Sequence, residues 1–153
     1  IETGKVKFIF REALAPVSPD GSGTIESITL AMYQVSRCNS ATPEQYFTRL
    51  GIFFEQQPAI YEAGTMTNVR AKLIEIGTAA SLSQDQIMAC ISDPAGAERI
   101  QRLSDAFERD GTAAGVSLGT PMFFLDGAHI DTDSIMTPET LRSVLDAAIA
   151  AKS

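Results

Sequence analysis

Cysteine and histidine are scarce in this chain, with two Cys and one His among 153 residues. Cys38, Cys90 and His129 are too few and too widely spaced for a zinc-binding set, so no metal site is expected. The two cysteines form either one disulfide or two buried thiols, because a free Cys is also a good small core residue. There is no basic run. Twelve Lys and Arg stand against nineteen Asp and Glu, a net charge of −7. Such a surface repels a phosphate backbone, which argues against nucleic acid as a partner. Solubility at neutral pH accounts for the acidity. No apolar stretch approaches the ~20 residues of a membrane helix, so no membrane span is expected. Ile1-Glu2-Thr3-Gly4-Lys5 lacks the charged leader and apolar block of a signal peptide. It also lacks an initiator Met and runs straight into strand-like sequence, from which we expect that an upstream segment has been lost.

A composition of 44% hydrophobic and 20% charged residues is that of a globular chain. Lys5–Phe10, rich in Phe, Ile and Val, reads as a strand. Pro16, Pro19, Gly21 and Gly23 then mark a loop. From Gly23 to Gly111 the pattern is helical throughout. Ile25, Ile28, Met32 and Val35 share one face of a helix from about Ile25 to Cys38. Thr42-Pro43-Glu44-Gln45 is a capping box for a second helix, carrying Tyr46, Leu50, Phe53 and Phe54 and stopped by Pro58. A third covers Met66 to Ile76, with Gly77 as its C-terminal cap. Ser83-Gln84-Asp85-Gln86 opens a fourth, with Ile87 and Cys90. Asp93-Pro94 starts a further helix, continuous with the fourth or kinked from it, that ends at Asp110-Gly111.

The character changes after Gly115. Met122–Leu125 is a short apolar strand, Asp126-Gly127 a two-residue hairpin turn, and Ala128–Ile130 the return strand. Thr137-Pro138-Glu139 caps a last helix. With no repeat, linker or low-complexity tract, we expect one domain: strand and loop over residues 1–22, a helical block over 23–111, then a loop, hairpin and helix over 112–153.

The most informative stretch is Val116-Ser117-Leu118-Gly119-Thr120-Pro121-Met122-Phe123-Phe124-Leu125-Asp126-Gly127. Pro121 stands directly before a strand, although proline cannot donate to a sheet ladder. In the trans form, which most X–Pro bonds take, it simply enters the strand. In the cis form it exposes the backbone of Thr120 to an extended peptide. Both readings are open. Gly119-Thr120-Pro121, an apolar strand and Asp126-Gly127 resemble the corresponding segment of DsbA-like thiol–disulfide oxidoreductases. Thr3-Gly4-Lys5-Val6-Lys7-Phe8-Ile9-Phe10-Arg11-Glu12 resembles the strand that follows the catalytic helix in that family, and the helical block fits between the two. The resemblance covers nearly the whole chain.

It implies an α/β fold: a thioredoxin-like sheet with an inserted helical block, here with the N-terminal βα portion absent. It also implies thiol–disulfide exchange in secreted proteins, with no cofactor. The reactive Cys-x-x-Cys of the family opens its first helix, whose positive end lowers the pKa of the first Cys. Thr120 and Pro121 are the positions that carry over, as substrate-binding and redox-tuning residues. No Cys-x-x-Cys occurs in these 153 residues, so no catalytic residue is assigned and this chain alone is expected to be inactive. The missing strand that precedes that helix is central in the family's sheet, so an oligomer, a swapped segment or the missing piece is expected to complete that sheet. The implied partners are reduced or misfolded secreted proteins and a redox partner protein. The implied location is periplasmic or otherwise extracytoplasmic. In that compartment Cys38 and Cys90 are expected to form a structural disulfide, contributing about 3–4 kcal/mol by closing a long loop.

Two other readings stand beside this one. One is a non-catalytic thioredoxin-like domain that binds or chaperones peptides. The other is a relative of the glutathione-dependent kappa-class transferases or isomerases. Among remaining candidates, His129 reads as an exposed polar residue after the hairpin turn. Asp126, Asp131 and Asp133 lack the spacing of a calcium loop. Phe8, Phe10, Phe123 and Phe124 read as sheet core, and Arg11-Glu12 as a surface ion pair of little energetic value.

Overall fold

The computed structural model describes residues 4–14 and 24–152. The loop expected at Pro16, Pro19, Gly21 and Gly23 lies outside them. The described chain is mostly helical with one small sheet, in the order α1 (Thr24–Ser36), α2 (Pro43–Glu55), α3 (Gln57–Tyr61), α4 (Met66–Ala79), α5 (Gln84–Ile91), α6 (Pro94–Ala114), β1 (Phe123–Leu125), β2 (Ala128–Ile130), a 3-10 turn (Thr132–Ile135) and α7 (Pro138–Ala150). Lys5–Phe10 forms no strand. Strand-favouring residues are not sufficient, because a strand exists only where a neighbour completes its ladder. Phe8 and Ile9 are 53% and 61% exposed there instead.

Local signals set most helix starts. Thr42 and Ser83 each accept the backbone N–H three residues on, while Gln45 and Gln86 reach back to the capping residue. Thr137 makes the same reciprocal arrangement with Thr140 at α7. Three ends differ from expectation. Pro58 does not stop the helical run: the chain breaks at Gln56 and resumes as α3 with Pro58 in its first turn, where a missing N–H costs nothing. Gly77 lies inside α4, not after it. A Cβ there would stand 2.6 Å from Ile87 Cδ1, so the glycine permits α5 to pack closely. Likewise α6 runs through Gly111 and stops only at Gly115, whose φ is +67°. α5 and α6 are separate helices. Asp93 divides them, its carboxylate accepting from the N–H groups of Ala95 and Gly96 at 3.1 and 3.0 Å.

The chain divides into two compact units, Glu12–Ser104 and the described residues of Ile1–Arg11 with Asp105–Ser153. The first has a continuous apolar core: Val35, Phe53, Ile60 and Ile87 are completely buried, beside Met32, Leu73 and Ile76. In the second, β1 and β2 pair antiparallel in the register Phe123↔Ile130, Phe124↔His129 and Leu125↔Ala128. Asp126 and Gly127 turn the corner with φ of 51° and 85°, both left-handed, as a two-residue hairpin of this hand requires. No residue of α7 is buried. No described helix is long and apolar enough to cross a membrane.

Candidate functional site

Gly119, Thr120 and Pro121 are all exposed, and the Thr120–Pro121 peptide bond is cis. The Pro121 carbonyl accepts a hydrogen bond from Thr132 Oγ1 at 3.1 Å, which ties the loop to the 3-10 turn. That turn is held by Asp131, whose side chain accepts from the N–H of Asp133 at 3.2 Å. The main chain of Thr120 itself has no hydrogen-bond partner among the described residues. It is a short, pinned edge with free backbone groups, the feature an extended peptide can pair with.

The neighbouring candidates serve local structure. His129 is half-buried, not exposed, and meets the Phe124 ring edge-on with centroids 5.6 Å apart. Asp126 occupies the turn and pairs with Lys152 at 2.6 Å. Phe124 is 39% exposed and so is not sheet core.

A second cluster, in the helical unit, gathers around Glu12. The expected Arg11–Glu12 pair does not exist. Arg11 pairs with Asp110 at 2.9 Å on the exposed surface, whereas Glu12 is completely buried. Its Oε1 takes both the guanidinium of Arg37 and the hydroxyl of Tyr46, the latter at 2.9 Å. Its Oε2 is buried with no hydrogen-bond partner. The Arg37 guanidinium also lies over the Tyr46 ring, 4.7 Å from its centre, a cation–π contact that reinforces the pair. Tyr33 donates to the Ala13 carbonyl at 3.3 Å. Burial, and then the Glu12 carboxylate, push the Tyr33 hydroxyl up to about 12, since ionising it would bury a second negative charge beside the first. The same two causes raise Tyr46 further. The neighbouring residues leave no trace of this burial, since Phe8, which shares its parity, is 53% exposed.

Cys38 and Cys90 are joined by a disulfide, with α-carbons 5.7 Å apart. This is the bonded arrangement expected above, and it links the chain just past α1 to the last turn of α5. Both cysteines of the chain are thereby used. Arg49, which the sequence did not single out, is buried beside this link. It donates to the carbonyl oxygens of Cys38 at 2.8 Å and Ser36 at 3.5 Å, closing the negative end of α1.

A family model described as thioredoxin matches residues 1–147, and the chain belongs to the thioredoxin family. Neither a curated protein nor a solved structure matches it.

Proposed function

We propose that this chain carries the helical and hairpin portion of a DsbA-like thiol–disulfide oxidoreductase. On this reading residues 23–111 are a helical insertion in the thioredoxin fold. Thr120 and Pro121 hold substrate backbone and tune the redox pair, and the reactive Cys-x-x-Cys lies outside these 153 residues. The carrying observation is the thioredoxin match over residues 1–147, which runs through the helical block to the loop where the Thr120 backbone is exposed. The disulfide between Cys38 and Cys90 fits an extracytoplasmic setting, where such bonds persist. Substrates would be reduced or misfolded secreted proteins, exchanging through a mixed disulfide. One observation favours a second reading, a non-catalytic peptide binder: the two cysteines of the chain are already bonded to each other.

Insulin reduction by the protein carrying its natural upstream residues separates the two. Turnover that depends on an upstream Cys-x-x-Cys, and falls at least tenfold when Thr120 is replaced by Arg, supports the oxidoreductase. A Cys-x-x-Cys without turnover counts against it. Peptide binding without any upstream thiol pair establishes the binder, and an upstream Ser in place of the first Cys points to glutathione chemistry.

A further inference from the structure

We propose that the Cys38–Cys90 disulfide is itself a redox-reactive site, which exchanges with dithiols through Cys90 and releases Cys38 as the stabilised thiolate. The two sulfurs are not equivalent. Cys38 is 2% exposed, whereas Cys90 is only partly buried, so an incoming thiolate reaches Cys90 first. The charges are unequal too. Arg49 is buried, and its guanidinium is held on the Cys38 carbonyl at 2.8 Å. It makes no ion pair with a carboxylate among the described residues, so a buried positive charge stands at Cys38 without a countercharge. Arg37, next in the chain, is already committed to Glu12. Cys38 and Cys90 both lie at helix C-termini, whose negative ends disfavour a thiolate. Among the described residues only Cys38 has a cation held on its main chain, which must offset burial in the helical core and the Gln86 carbonyl oxygen 3.4 Å from its sulfur as well. A departing thiolate is better stabilised, and leaves faster, where its pKa is lowered.

In the exchange, one thiolate of an external dithiol attacks Cys90 Sγ. The bond to Cys38 breaks, and its electron pair departs on Cys38 Sγ. The donor's second thiol then attacks the mixed disulfide and frees Cys90. Two electrons have passed to the cysteines, the donor's two protons are available to them, and the donor leaves as a disulfide. Cutting this link frees α5 from the end of α1, the one covalent tie between them.

Native protein is titrated with dithiothreitol, and free thiols are counted. The pair should reduce without denaturant. Arg49→Met should slow reduction about threefold, because a leaving thiolate one pKa unit more basic passes only a fraction of that change on to the rate, while Arg49→Lys keeps most of the rate. A purely structural loss would affect both variants alike. Peptide mapping after brief exposure to glutathione should place the adduct on Cys90. In Cys90→Ala, which needs no Arg49 substitution, thiolate absorbance should show Cys38 titrating below the ordinary value of about 8.5. Reduction only in denaturant, an adduct on Cys38, or a Cys38 thiol at or above its ordinary value would each overturn the proposal.

Discussion

The two units of this protein have similar apolar residues but use them differently. In Glu12–Ser104 the large side chains meet one another: Phe53, Ile60 and Ile87 are completely buried, and the link from Cys38 to Cys90 ties the chain just past α1 to α5 beside them. In the other unit Leu118, Phe124 and Met136 are 51%, 39% and 70% exposed, and of its described residues only Gly111 and Ile135 are buried. The difference is one of geometry. Helices α1 to α5 pack their apolar stripes against one another, whereas a two-stranded hairpin has no second layer of its own and is marginal alone. The helical unit therefore supplies most of the stability, and the hairpin unit supplies accessible backbone at Thr120.

The sharpest break of that contrast is Phe53→Ala, which should cost about 3–5 kcal/mol by leaving a cavity in the helical core. Urea unfolding measures it. A loss below about 1 kcal/mol would mean that this core is not the main source of stability. Next is the double change Cys38→Ser with Cys90→Ser. It releases a loop with a sequence separation of 52 and should cost about 3–4 kcal/mol on the chain-entropy model. An unchanged urea midpoint would show that the link adds nothing to native stability.

Glu12→Gln comes third, at about 2 kcal/mol, since it leaves Arg37 without its carboxylate in a largely buried setting. It also carries a pH signature. Tyr33 is raised from 10.0 to about 12 in the folded protein, so the unfolded chain releases this proton first. The associated stability is present below pH 10 and is lost as pH climbs from 10 to about 12. Removing the charge at residue 12 should lower the Tyr33 midpoint part of the way back toward 10, because burial remains after the carboxylate has gone. Phenolate absorbance reads this directly, and an unmoved midpoint would remove Glu12 as a cause. The smallest effect is expected in the hairpin unit. Phe124→Ser should cost about 1 kcal/mol, the scale of its edge-on contact with His129. A cost near that of Phe53→Ala would erase the distinction between the units.

Much of the helical order is legible in the sequence, because capping is chemistry within three or four residues. Thr42, Ser83 and Thr137 each find their partners inside the same turn. The hairpin is legible for the same reason, since Asp126-Gly127 meets a local demand for left-handed backbone. The glycines were less readable. Gly77 looks like a cap until Ile87 is seen against it, and a close approach from another helix leaves no mark in the neighbouring residues. Strand character at Lys5–Phe10 likewise says nothing of whether a ladder partner is present.

By itself, then, the sequence determined where helices begin, where the hairpin turns, and that Gly119-Thr120-Pro121 leads into a strand. Only the tertiary structure decided the long-range pairings. Arg11 turned to Asp110 while its neighbour Glu12 turned inward to Arg37 and Tyr46, 25 and 34 residues away. Cys38 met Cys90 across a separation of 52, and Arg49 settled on the end of α1. Local rules reach about one helical turn. Burying a charge or closing a long loop is decided by packing of the whole unit, which desolvates Glu12 and so requires its partners.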